Sequence, residues 1–242
     1  MPMTVLPLLE GECQVWWARR QDCRPELAGL LDPAERGRLA ALVQPADQER
    51  FTVGAALVRS LVGALTGVRP QDVVLDRTCP GCGRPHGRIT VPGGAPRLSL
   101  SHSGDLVTVA LHPTAEIGVD VEQVARGLDP LSLAGVALTG REEADLRALP
   151  AGQHPAAFAG YWVRKEAFVK ATGEGLRRPP GEVEVSAPGT PPRLLSAYPG
   201  PVWLGDLSPR PGYAAAVAVL AEGPVLVREF DGTGLLAEIA RR

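Results

Sequence analysis

The segment IGVDVEQV, residues 117–124, places two carboxylates where strands seldom carry them. In an extended chain Ile117, Val119 and Val121 share one face, and Asp120 and Glu122 share the other. Two such acids lie about 7 Å apart at Cα, close enough for their side chains to converge on one cation. An oxygen-only donor set suits Mg²⁺, which takes one or two protein carboxylates and completes its shell with water and substrate phosphate. The same pattern also describes the solvated polar face of an edge strand, and the strand alone leaves both readings open.

A second segment, WVRKEAFVK at 162–170, contains Lys165 and Lys170, the only lysines in a chain whose lysine and arginine total is 25. Helical spacing sets Glu166 one turn before Lys170, with Trp162 a turn earlier on nearly the same face and Phe158, Tyr161, Phe168 and Val169 as the apolar stripe. Five residues span about 500° of helix, so Lys165 and Lys170 point roughly 140° apart and cannot share a contact. Glu166 and Lys170 read either as a surface ion pair worth roughly 0.3–0.5 kcal/mol, or as a third oxygen ligand beside a cation that meets a phosphate oxygen. A third segment, SHSG at 101–104, reads as a turn between two strands. Ser101 and His102 could donate to a phosphate there, although a plain polar turn has the same composition. A Ser-His hydrolase is a poor fit, because G-x-S-x-G is absent and chain neighbours seldom align a base with a hydroxyl. The stretch CPGCGRPH contains half a zinc knuckle, Cys79 and Cys82 with His86 as a third donor, but Cys13 and Cys23 lie far upstream at no standard spacing. A Gly/Pro-rich turn with reduced thiols is the favoured reading of that stretch.

Several elements must position these groups. CQVWWARR (13–20) reads as a strand, PAERGRLAAL (33–42) as a helix capped by Asp32, and residues 47–67 as a longer apolar helix opened by Asp47 and closed at Gly67. Strands follow at 98–100, 106–111 and 117–124. Thr139 and Glu142 form the capping box of a helix over 139–149, and a long helix carries WVRKEAFVK. EVEVS, PRLLSAY, PVWLGDL and YAAAVAVL read as strands, and LLAEIARR as a closing helix. LSLSHSGDLVTVAL (98–111) and LGDLSPRPGYAAAVAVL (204–220) echo one another as strand, polar turn and apolar strand, which suggests a duplicated α+β unit.

With 242 residues, 45% hydrophobic and 21% charged, the chain is long enough for one large domain or two small ones with a real core. A formal net charge of -2 argues against a globally basic nucleic-acid binder. The N-terminus lacks a basic leader and no stretch has the apolar length of a membrane span, so a soluble cytoplasmic protein is expected.

The order SHSG, then GVDVE, then WVRKEAFVKATGEGL resembles the Sfp-type 4′-phosphopantetheinyl transferases, whose pattern is SHS, then G-[IV]-D-[IV]-E, then W-x-x-K-E-[AS]-x-x-K-x-x-G-x-G-[LIF]. The third motif is matched at Trp162, Lys165, Glu166, Ala167, Lys170, Gly173, Gly175 and Leu176, and the resemblance is strong over 98–176. It implies an α+β fold of two similar halves, 1–113 and 114–242, related by a pseudo-two-fold with coenzyme A bound between them. It further implies Mg²⁺ on Asp120, Glu122 and Glu166. Ser101, His102 and Arg50 would sit near coenzyme A phosphates, and Lys170 beside the pyrophosphate. Arg84 and His86 fall where the family carries a G-K-P-like segment, with Arg84 in place of its lysine. The implied reaction moves phosphopantetheine from coenzyme A to a serine of an apo carrier protein of fatty-acid, polyketide or nonribosomal peptide synthesis, releasing 3′,5′-ADP. Glu166 would serve as base. The length implies a monomer, with no membrane or nucleic-acid partner. Two other classes stay open on the residues themselves: a metal-dependent phosphohydrolase or nucleotidyl enzyme using the same acids, and a non-catalytic coenzyme A- or nucleotide-binding module with zinc at Cys79 and Cys82.

Overall fold

The computed structural model describes residues 5–79, 81–85, 87–124 and 129–241. It divides into two units, Met1–Thr114 with Leu226–Arg242, and Ala115–Val225. Elements are numbered in chain order.

The first unit holds strands β1 (Glu12–Arg19), β2 (Arg97–Ser103), β3 (Leu106–His112) and β7 (Leu226–Asp231), with helices α1 (Pro33–Ala41), α2 (Pro45–Thr66) and α6 (Thr233–Ile239). Its sheet runs β2-β3-β1-β7. β3 is antiparallel to both β1 and β2, and β7 adds parallel to the other edge of β1. Asp32 caps α1 through the amide of Glu35 and Pro33 opens it, as its sequence predicts. α2 begins two residues before Asp47, behind Pro45, and ends at Gly67 in the left-handed conformation. Its Val53, Leu57 and Leu61 are buried in one core with Trp16, Val107 and Val109 of the sheet.

The second unit holds β4 (Ile117–Gln123), β5 (Trp203–Asp206) and β6 (Tyr213–Val219), with α3 (Pro130–Ala137), α4 (Gly140–Ala148) and α5 (His154–Thr172). Its sheet runs β4-β6-β5, with β6 antiparallel to both neighbours. Thr139 and Glu142 form the expected capping box of α4. Phe158, Tyr161 and Phe168 of α5 are buried with Ala216 and Ala218 of β6 in a separate core. The alanine run of β6 keeps that face low, which lets a helix of bulky residues lie on it.

Each unit thus repeats strand, helices, hairpin, with the first strand paired to the third and the second on an outer edge. The echo between 98–111 and 204–220 corresponds to β2–β3 and β5–β6. The closing segment differs from the sequence expectation, which placed 114–242 together: LVREFD forms β7 and joins the first unit, because β1 offers it a free edge and Phe230 stacks on Trp16 at 4.6 Å. EVEVS and PRLLSAY also differ. They form no strands, only one antiparallel bridge between Val185 and Leu194, since Pro and Gly between them interrupt a ladder. The Cys79 amide donates to the Arg84 carbonyl at 2.8 Å and the Gly83 amide to the Cys79 carbonyl at 2.8 Å, and none of the four cysteines is in a disulfide. Among the described residues no helix is long and apolar enough to cross a membrane.

Candidate active site on β4 and α5

β4 and α5 approach unusually closely because residue 118 is glycine. A Cβ there would collide with the Ala167 carbonyl oxygen and the Ala171 amide nitrogen of α5, and would sit 2.9 Å from Lys170 Cβ. The contact brings the polar residues of the two elements together. Lys170 Nζ donates to Asp120 Oδ1 at 2.7 Å and to the Val119 carbonyl at 3.2 Å. Asp120 is buried at 4% exposure, so that ion pair is largely desolvated on the acid's side. Glu166, one turn before Lys170, is half-buried. Burial raises its pKa first, then the negative charge of Asp120; Lys170 lowers it and Glu122 raises it again. Asp120, Glu122, Glu166 and Lys170 therefore share one electrostatic environment. β4 does not present the clean alternation its sequence suggests, for Asp120 is as buried as its apolar neighbours under α5.

The other lysine has a different task. Lys165 is fully buried, pairs with the Glu142 carboxylate, and donates to the carbonyls of Ala137 at 2.8 Å and Pro180 at 3.0 Å. Arg164 beside it is buried too, gripping Asp206 with two bonds at 2.8 and 2.6 Å. Three consecutive charged positions of the motif thus divide the work: Arg164 and Lys165 tie α5 to its surroundings, and Glu166 lies within the fields of Asp120, Lys170 and Glu122.

In the first unit, SHSG is not a turn. Ser101, His102 and Ser103 belong to β2, and the turn is Gly104–Asp105, a two-residue hairpin that Gly104 permits at φ 55°. Strand alternation leaves Ser101 buried and His102 exposed. Arg50 of α2 reaches this hairpin, donating to the Gly104 carbonyl at 2.7 Å while paired with Asp47. Arg84 is exposed on the cysteine turn, and His86 lies outside the described residues.

Two features had no sequence signal. A cavity of about 410 Å³ opens beside Glu122, lined by Leu133, Val136, Phe158, Trp162 and Pro180 among others. Leu133 and Val136 sit on α3, a helix whose short sequence carries no chemistry-bearing residue. Arg20, meanwhile, binds Asp105 at 2.6 Å and Glu49 at 2.7 Å across separations no local pattern reveals.

The donor set of Asp120, Glu122 and Glu166 is all oxygen, the chemistry Mg²⁺ selects. Among the described residues no three His, Cys, Asp or Glu side chains close into a ready-made cage. Mg²⁺ takes only one or two protein carboxylates and completes its shell with water and substrate phosphate, so residues of this chemistry are compatible with such an ion. The third zinc donor expected beside Cys79 and Cys82, His86, is outside the described residues.

Comparison with known proteins places these segments. Residues 116–218, which span β4 to β6, match the 4′-phosphopantetheinyl transferase superfamily. The 4′-phosphopantetheinyl transferase HetI of Nostoc sp. is 34% identical over 222 residues, 90% of this chain and 92% of its own. A phosphopantetheinyl transferase of Thraustochytrium sp. is 30% identical over 66% of this chain and 58% of its own, and psf-1 of Bacillus pumilus is 32% identical over 54% and 52%. With the motif residues on β4 and α5 arranged as above and a relative similar along nearly its whole length, the chain belongs to the 4′-phosphopantetheinyl transferase family.

Proposed function

We propose that the β4–α5 site is where this transferase moves the 4′-phosphopantetheine moiety of coenzyme A to a serine of an apo carrier protein, releasing 3′,5′-ADP, with Mg²⁺ as its metal. The transfer itself is the activity of the family. What supports this assignment of the site is one observation: a buried carboxylate, Asp120, bonded at 2.7 Å to Lys170 beside the half-buried Glu166.

Asp120, Glu122 and Glu166 would hold the metal, which when bound supplies positive charge to the phosphoryl oxygens. Lys170 adds a point charge at the pyrophosphate; its ammonium exchanges part of its bond with Asp120 for a phosphate oxygen. The carrier serine oxygen bonds to the β-phosphorus as the bond from that phosphorus to the 3′,5′-ADP oxygen breaks. The serine proton goes to Glu166, directly or through water. Ser101, His102, Arg50 and Arg84 would contact coenzyme A phosphates. The protein would work as a cytoplasmic monomer on acyl or peptidyl carrier domains, with no nucleic-acid or membrane partner.

Intact-mass analysis of an apo carrier protein incubated with enzyme, coenzyme A and Mg²⁺ tests the reading. One added phosphopantetheine unit is expected, lost in excess EDTA and in Asp120→Asn. Full activity in EDTA overturns the metal assignment, and an unmodified carrier alongside phosphate release from coenzyme A points to a hydrolase.

A further inference from the structure

We propose that Arg20 is a positioning residue for the hairpin that carries Ser101 and His102, fixing its turn so that these two residues and Arg50 meet phosphate in one register. The inference rests on the phosphate-binding role proposed above for the hairpin.

Arg20 lies immediately after β1. Its backbone amide donates to the Asp105 carbonyl at 2.9 Å, its Nε donates to Asp105 Oδ1 at 2.6 Å, and its Nη1 donates to Glu49 Oε2 at 2.7 Å. Next to Glu49 on α2, Arg50 takes the other turn residue through the Gly104 carbonyl at 2.7 Å. Both residues of the turn are therefore gripped by arginines, and the two grips are linked through adjacent positions of α2. Hairpin tips otherwise open locally at little cost. His102 precedes the turn by two residues on an exposed strand face, so any change of turn geometry moves it directly.

Charge gives a second reason. Asp47, Glu49 and Asp105 put three carboxylates around the turn, and each repels an anionic ligand. Arg20 neutralises two of them at once, so a phosphate approaching the hairpin meets compensated charge. Arg20 acts on turn and field; contact with the ligand belongs to the hairpin residues.

The test compares KM for coenzyme A and kcat in Arg20→Ala, Arg20→Lys and Asp105→Asn, each also combined with His102→Ala. Arg20→Ala should raise KM about tenfold, inside the roughly hundredfold span that misplaced binding groups cost, with kcat at saturation retained. Arg20→Lys, which keeps the charge and the backbone bond, should recover part of the loss. In the His102→Ala background the same substitution should matter less, about three- to fourfold, because one of the groups it positions is gone while Ser101, Arg50 and the compensated charge remain. If Arg20→Ala lowers the melting temperature substantially, Asp105→Asn is judged on the same KM-against-kcat split. An unchanged KM in Arg20→Ala and Asp105→Asn, or effects that add fully to His102→Ala, overturns the positioning role while leaving the hairpin's function intact. Should His102→Ala itself leave KM unchanged, the phosphate-binding reading of the hairpin fails, and this inference with it.

Discussion

Gly118 lies directly against the Ala167 carbonyl of α5, too close for any side chain at 118. This contact lets Asp120 and Lys170 meet, since both elements must come within backbone distance first. Gly118→Ala should therefore destabilise the protein by about 1–3 kcal/mol or more, the range for overpacking against backbone that has nowhere to go. Gly135→Ala is the control. That residue is exposed in α3 with open space at its Cβ position, and the helix should gain about 0.5–1 kcal/mol from alanine. Urea unfolding of the two variants measures both shifts, and equal effects would show that the close approach does not exist.

The Lys170–Asp120 bond predicts a separation of stability from activity. Lys170→Ala leaves a buried carboxylate without its ammonium and should cost about 1–3 kcal/mol. Asp120→Asn in the same background should restore much of that stability, because the orphaned charge is removed. Carrier loading should stay abolished in both the single and the double variant. Lys170→Arg should lose much of kcat, as a planar fork replaces a compact charge in a crowded place. Melting temperatures and loading rates together check this. Recovery of loading in the double variant would make the pair structural.

Lys165 and Glu142 predict the reverse. Both are buried, and Glu142 also accepts from the amides of Thr139 and Val185 at 2.8 and 2.9 Å. Lys165→Met strands that carboxylate and should cost about 3–5 kcal/mol. The fraction that remains folded should load carrier protein at close to the normal kcat. A variant as stable as the parent would contradict the buried pair.

His112 supplies a pH dependence. Burial holds its imidazole pKa below the usual 6.5, with the charge of Glu10 opposing, and its Nδ1 accepts from the Thr114 amide at 3.2 Å, as a neutral ring does. The unfolded chain therefore binds a proton that the folded chain refuses as pH falls through 6.5. Stability from this group is complete above that value and declines below it. Between about pH 7.5 and about pH 5.5 the melting temperature of the parent should fall more steeply than that of His112→Gln, which keeps an acceptor and does not titrate there. Parallel curves would assign the acid sensitivity to other groups.

Local sequence determined a great deal here. Asp32 and the Thr139–Glu142 box set helix starts through bonds spanning three residues, and Gly67 and Gly173 stop helices because they take the left-handed conformation cheaply. The three motifs resemble the family that the comparison along nearly the whole chain shows, and the acids and lysine they single out fall on β4 and α5. Tertiary structure decided the rest, wherever partners lie far apart in the chain. Nothing near residue 165 says that its lysine is buried on Glu142 while Lys170 meets Asp120; helical spacing shows only that they diverge. LVREFD has an ordinary strand pattern, and its place beside β1 depends on which edge the sheet leaves open. EVEVS alternates as a strand should, but no neighbour completes its ladder. Arg20 and Asp105 are 85 positions apart. Periodicity reports which face of an element is apolar, whereas the pairing of buried charges and strand edges is set by whatever the rest of the chain packs against them.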